Sequence, residues 1–145
     1  MEILIEKTTK TNNSLIDKDI QDRLNDALKC AYSPYSKVKV ACALHFKSGK
    51  IVCGCNVENS SYSCTICAER CAIFKAISNG GNLKDVDCVY IKCDQKNLFY
   101  PCGACRQVMA EFLNKKTKII MLTTKDNKLV EQSSLEQLLP NSFSL

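Results

Sequence analysis

Val38-Lys39-Val40-Ala41-Cys42-Ala43-Leu44-His45-Phe46-Lys47-Ser48-Gly49-Lys50-Ile51-Val52-Cys53-Gly54-Cys55-Asn56-Val57 is the stretch that decides the fold. Val38, Val40, Cys42, Leu44 and Phe46 alternate with their neighbours, and a period of two puts alternate side chains on one face of a strand. Ser48-Gly49 supplies a turn and 51–57 returns as a second strand, so the stretch predicts a β-hairpin. Toward the N-terminus, Ile20, Leu24, Ala27, Leu28 and Ala31 recur at helical spacing from Asp17 until Ser33-Pro34 stops the helix. Beyond the hairpin the pattern over 67–78 is helical, and Asn79-Gly80-Gly81 supplies the left-handed backbone that ends it. Residues 86–93 predict a strand. Pro101 precedes a helix with Ala104, Val108, Phe112 and Leu113 on one face, and 118–123 form a strand rich in Ile and Leu. Asp126-Asn127 reads as a turn, and Ser134 with Gln137 as a capping box for a last short helix stopped by Pro140. A hairpin followed by strand and helix alternation implies an α/β domain whose mixed sheet is covered by helices.

Composition narrows the class. At 145 residues, 46% hydrophobic and 24% charged, the chain suits one soluble globular domain over 1–145, with 1–13 a loose polar N-terminal extension. No run approaches the roughly 20 apolar residues that span a bilayer, so no membrane is expected. Net charge is +5, and the one dense basic cluster, Lys115, Lys116 and Lys118, reads as a solvated loop rather than a nucleic-acid stripe. Eleven cysteines could frame a secreted disulfide scaffold. The odd count, the size of the chain and the acids in the first apolar run oppose that, and a reducing, cytoplasmic location is expected.

Two cysteine groups fall where a loop enters a helix: Cys64-Thr65-Ile66-Cys67-Ala68-Glu69-Arg70-Cys71 and Pro101-Cys102-Gly103-Ala104-Cys105. The positive end of a helix favours thiolate, the form that binds metal, and a three- or four-sulfur set suits zinc. Cys64, Cys67, Cys102 and Cys105 could close a structural zinc site that only binds a partner. Alternatively Cys67, Cys102 and Cys105 are the ligands and a fourth position holds water, as in a hydrolytic enzyme. Glu69 tips the balance, because a carboxylate two residues after Cys67 can move a water proton without ligating the metal. For Glu69 alone, stabilising the helix end would suffice as an explanation. Three thiolates leave the zinc site negative, and Arg70 either donates to a ligand sulfur or is an exposed helical arginine.

Cys67-Ala68-Glu69 with Pro101-Cys102-Gly103-Ala104-Cys105 resembles the zinc signature of the cytidine deaminases, in particular the small homotetrameric three-cysteine forms. Tyr32-Ser33-Pro34-Tyr35-Ser36, Gly54-Cys55-Asn56-Val57-Glu58-Asn59, Cys105-Arg106-Gln107-Val108-Met109 and Leu138-Leu139-Pro140 with Phe143 extend the resemblance over 15–143. It implies a three-layer sandwich with a mixed five-stranded sheet flanked by helices. It also implies one Zn²⁺ per chain on Cys67, Cys102 and Cys105, and hydrolysis of cytidine and 2′-deoxycytidine to the uridine nucleosides and ammonia, a step of pyrimidine salvage. Glu69 would take a proton from the attacking water, pass it to N3 of the base and assist the departure of ammonia from C4. By the same resemblance Asn56 and Glu58 bind the ribose 3′-hydroxyl, the backbone at Ala68 holds the base carbonyl, and Phe143 and Tyr62 reach the site across a subunit boundary.

The chain departs from that family where an aromatic usually lines the pyrimidine pocket and Val38 stands here, and where Val40-Ala41-Cys42-Ala43 replaces a Val-Gly-Ala-Ala run. Both bear on substrate fit more than on reaction class, so a related deaminase of a modified nucleoside or an aminopyrimidine antibiotic stays open. A redox C-x-x-C protein is disfavoured, since neither pair has the expected context. His45, the one histidine, alternates with Leu44 and Phe46 and reads as a strand residue rather than a ligand. The remaining cysteines, 30, 42, 53, 55, 71, 88, 93 and 64, are expected to pack as small hydrophobes.

Overall fold

Asp17 caps the first helix, its carboxylate accepting from the Asp19 backbone, and α1 (Lys18–Cys30) follows with Ile20, Leu24 and Leu28 buried along one stripe. In this computed structural model, which describes residues 16–124, 130–143 and 145, the hairpin is β1 (Val40–Phe46) and β2 (Ile51–Cys55). After it come α2 (Ala68–Ser78), β3 (Val86–Cys93), α3 (Gly103–Phe112), β4 (Lys118–Thr123), β5 (Val130–Ser134) and α4 (Leu135–Leu138). The N-terminal extension 1–13 and the turn at Asp126-Asn127 lie outside the described residues.

The five strands run in the order β2-β1-β3-β4-β5, with β3 and β4 parallel and the other neighbours antiparallel. Packed on one face, α1 sets Ile20, Leu24 and Leu28 against Ala41, Ala43 and Leu122. On the other, α2 and α3 enclose Cys42, Leu44, Val89, Ile91, Ile119 and Met121 with Ala72, Ile73 and Met109. The result is a three-layer α/β sandwich with a mixed five-stranded sheet. Because β1 is hydrogen-bonded on both sides and covered on both faces, Ala41 and Ala43 are as buried as Cys42 and Leu44. His45 shares the α1 face with the two alanines and is half-buried.

Three sequence expectations are corrected. The first strand starts at Val40, not Val38, because Lys37 takes a left-handed φ of 60° and Val38 N–H turns to the Ser36 hydroxyl. In α3 the fully buried stripe is Cys105 and Met109, continued by Leu113; Val108 and Phe112 pack against the core as expected, whereas Ala104 is exposed. Finally, the fifth strand that the resemblance implies was not located by periodicity: Val-Glu-Gln-Ser-Ser has no alternating apolar pattern, and the place of β5 comes from the backbone ladder to β4, from Lys118 opposite Ser134 to Leu122 opposite Val130. The capping box is present, Ser134 Oγ accepting from Gln137 N while the Gln137 side chain accepts from Ser134 N.

Topology decides where a site can form. The parallel β3-α3-β4 unit leaves a crevice beyond the carboxyl ends of its strands, where open α/β sheets bind ligands. Antiparallel pairing sets the start of β1 against the end of β3, Val40 opposite Cys93, and the end of β2 against Ala41. That end of the sheet therefore gathers the start of β1, the ends of β2 and β3, and the loop into α3.

Candidate active site and metal centre

The first turn of α2 is brought to this end by a tied loop. Val57 and Ile66 exchange backbone hydrogen bonds, and Tyr32 brackets the loop by donating to Asn56 O and accepting from Glu58 N. Cys67 is the N-cap of α2 and Cys102 the N-cap of α3. Neither thiol caps its own helix. Two positive helix ends therefore converge on sulfurs that remain available.

Cys67 and Cys102 Sγ are 3.9 Å apart, and the sulfurs of Cys67, Cys102 and Cys105 all lie within 4.8 Å of one another. Tetrahedral zinc with bonds of about 2.3 Å sets its sulfurs about 3.8 Å apart, so the triad fits that ion. The sulfurs also lie close enough to share a proton. The Cys105 thiol, pushed well up in pKa, donates to Cys67, and with help from Arg70 and Cys102 this holds Cys67 at about 5. Arg70 Nη2 donates to Cys67 Sγ at 3.7 Å and to the Thr65 carbonyl at 3.4 Å. Cys64 is exposed in a 3-10 turn, Tyr62–Cys64, and stands outside the cluster. Cys42, Cys88 and Cys93 are buried as expected, whereas Cys30 and Cys64 are exposed and do not pack.

Glu69, 4% exposed, lies in the second position of α2 beside the triad. Burial pushes its carboxyl up to about 7 against the pull of its own N–H, and the neighbouring Cys67 charge adds to the rise. A cleft of about 280 Å³ opens here, and Glu69, Cys67 and Cys102 line it with Ala68, Val38, Asn56 and Glu58. A wider groove of about 540 Å³ between α1 and α2 along β2 carries no metal-ligand cluster among the described residues.

Asn56 and Glu58 already have partners. Asn56 Oδ1 accepts from Val40 N and Nδ2 donates to Val38 O, each at 2.9 Å. Glu58 accepts from the backbone of Tyr35 and Ser36 and from the Ser36 hydroxyl, and those bonds hold its carboxyl below the usual range. Tyr62 and Phe143, 74% and 69% exposed, do not line the cleft within one chain. Sequence reasoning missed Ser36, Thr65, Ile66, Ile91, Phe99 and Tyr100, which do. For Phe99-Tyr100, two aromatics directly before the Pro-Cys pair were the available signal.

With the triad, the buried carboxylate and the cleft established, comparison with known proteins is decisive. Residues 16–122 match the family model described as the cytidine and deoxycytidylate deaminase zinc-binding region. The chain belongs to that deaminase family. A cytidine deaminase of Sporosarcina psychrophila is 44% identical over 114 residues, 79% of this chain and 81% of that protein. One from Halalkalibacterium halodurans is 42% identical over 114 residues, 79% of this chain and 83% of its own length. A crystal structure of cytidine deaminase from Burkholderia pseudomallei superposes with a TM-score of 0.81 at 34% identity, covering 89% of this chain and all of that one. Family membership agrees with the cleft chemistry, a metal-binding thiol set beside the buried Glu69 carboxylate.

Proposed function

We propose that this chain is a zinc-dependent hydrolase that converts cytidine and 2′-deoxycytidine, with water, to uridine and 2′-deoxyuridine plus ammonia. The observation that carries the reading is Glu69, a buried carboxylate that lines one cleft with Cys67 and Cys102, the two sulfurs that cluster with Cys105. When bound to the three sulfurs, zinc supplies a water acidic enough to react near neutral pH. Glu69 would take one proton from the attacking water and deliver it to N3 of the base, then carry a second, from the hydroxyl gained at C4, to the departing ammonia. Arg70 offsets the negative charge of the sulfurs through its bond to Cys67. The Ala68 backbone meets the base carbonyl. Asn56 and Glu58 border the space for the sugar, and Glu58 has acceptor capacity beyond its present bonds for a hydroxyl.

The reading extends to assembly and location. One catalytic domain spans 1–145 and self-associates as a homotetramer, in which Tyr62 and Phe143 reach a neighbouring site; their exposure supports this. All eleven cysteines are free, which suits a reducing cytoplasm, and no helix among the described residues is long and apolar enough to cross a membrane. Val38 leaves room beside the base, which favours a second substrate class, cytosine nucleosides enlarged on the ring.

The test follows ultraviolet absorbance with free cytidine, 2′-deoxycytidine, ring-modified nucleosides, an aminopyrimidine antibiotic and an oligonucleotide. Turnover of the two free nucleosides and not of the oligonucleotide is expected. Glu69→Gln retains about one zinc per chain and loses on the order of 10²-fold in rate. Cys64→Ala keeps both zinc and turnover. Loss of its zinc would instead support the closed four-cysteine site, and equal activity in Glu69→Gln would sink the mechanism.

A further inference from the structure

Most of the apolar cleft lining is aliphatic: Val38, Val40, Ile66 and Ile91. The only aromatic rings lining it among the described residues are Phe99 and Tyr100, on the segment between β3 and α3. They are 37% and 47% exposed and belong to neither core cluster. Core packing does not account for them. Nor is Tyr100 loose, since its hydroxyl donates to Glu131 Oε2 on β5 at 2.5 Å.

The chain after the pair is fixed. Pro101 is buried, its carbonyl accepts from Arg106 Nε at 2.7 Å, and Arg106 Nη1 reaches Leu138 O at 2.8 Å. Cys102 of the thiol triad follows at once. Two open rings are thus held at a set distance along the chain from the metal centre, one of them pinned by its hydroxyl.

We propose that Phe99 and Tyr100 form the stacking wall for the planar base of the substrate, and that Glu131 is a positioning residue that holds Tyr100 in that wall. The inference rests on reading the chain as a deaminase of cytosine nucleosides and adds the residues that select a flat heteroaromatic ring. A π-face contact does not distinguish the groups at the ring edge, which leaves that choice to Glu69 and the Ala68 backbone. Stacking is made about equally in the bound substrate and in the transition state, so its loss raises KM and spares kcat. A residue serving only the fold would not produce that split.

The experiment measures kcat and KM for cytidine, uridine affinity by equilibrium dialysis, and zinc content, in the full chain and in five variants. Phe99→Ala and Tyr100→Ala each raise KM and the uridine Kd roughly tenfold, with kcat within about threefold and zinc unchanged. Tyr100→Phe and Glu131→Val each raise KM about two- to threefold, and together no more than singly, because both break one bond. Glu131→Gln keeps an acceptor oxygen and returns KM to the wild-type value. The wall is overturned if both alanine variants keep KM and uridine affinity within about twofold of the parent, or if their loss is confined to kcat. A wild-type chain that neither turns over a cytosine nucleoside nor binds uridine fails at the functional reading itself, and the wall falls with it.

Discussion

Gly54 on β2 and Ala72 on α2 meet backbone to backbone: a Cβ built on Gly54 would lie 2.5 Å from Ala72 N, 2.8 Å from Ala68 O and 2.9 Å from Cys71 Cβ. None of those atoms can swing aside, so even one methyl would push the first turn of α2 off the sheet. That turn carries Glu69 and follows Cys67. Gly54→Ala is expected to cost about 1–3 kcal/mol in stability, and a displacement of about 1 Å at Glu69 to cost on the order of 10²-fold in kcat. Thermal unfolding and single-turnover rates check the two effects. A variant with wild-type kcat would show that the close approach does not position the carboxylate.

Among the described residues Arg70 is the cation that bonds a sulfur of the triad, Cys67, and its Nε is buried with no hydrogen-bond partner there. Arg70→Gln removes the charge while keeping much of the length. Zinc affinity is expected to fall about 10-fold to 100-fold, read by competition with a chelator of known affinity. Unchanged affinity would leave Arg70 with only its link to the Thr65 carbonyl.

The hairpin and the starts of α2 and α3 were legible because strand periodicity and turn residues are local signals. The cysteine triad was legible as a ligand set, since its spacing and the neighbouring Glu69 carry chemistry. Treating Cys105 as a ligand alone also hid its second role in the buried stripe of α3. What the pattern could not express was long-range. In β5, backbone pairing with β4 takes the place of an apolar face. The bonds from Asn56 to Val38 and Val40 span 18 and 16 residues and look in sequence like a polar strand end. Tyr100 enters the cleft wall through Glu131, 31 residues away.

Lys92 is buried under α1 at 7% exposure, with its ammonium donating to Asn25 Oδ1 at 2.8 Å. Burial lowers its pKa from the ordinary 10.5. Between the lowered value and 10.5 the unfolded chain binds more protons than the folded one, so stability rises with pH through that window. Lys92 accordingly subtracts stability at neutral pH and ceases to do so near 10.5. Lys92→Met is expected to raise Tm by about 3 °C at pH 7 and to flatten the alkaline rise. Asn25→Ala, which strands the ammonium, lowers Tm; calorimetry from pH 7 to 10.5 checks both signs.

Asn56 completes the hairpin as a side chain doing backbone work. Its amide presents an acceptor to Val40 N and a donor to Val38 O, carrying the pairing past the end of β2 while Asn56 N itself bonds Val40 O. Val38 in turn lines the cleft. Asn56→Asp is nearly isosteric but turns a carboxylate oxygen toward the Val38 carbonyl, replacing a bond with repulsion. That loss, about 1–3 kcal/mol, is expected to lower Tm by roughly 3–10 °C and to raise KM as the cleft wall relaxes. A residue that served only the sugar would raise KM and leave Tm unchanged. Measuring Tm without nucleoside therefore separates the two roles, and an Asn56→Asp chain as stable as the parent would assign Asn56 to substrate alone.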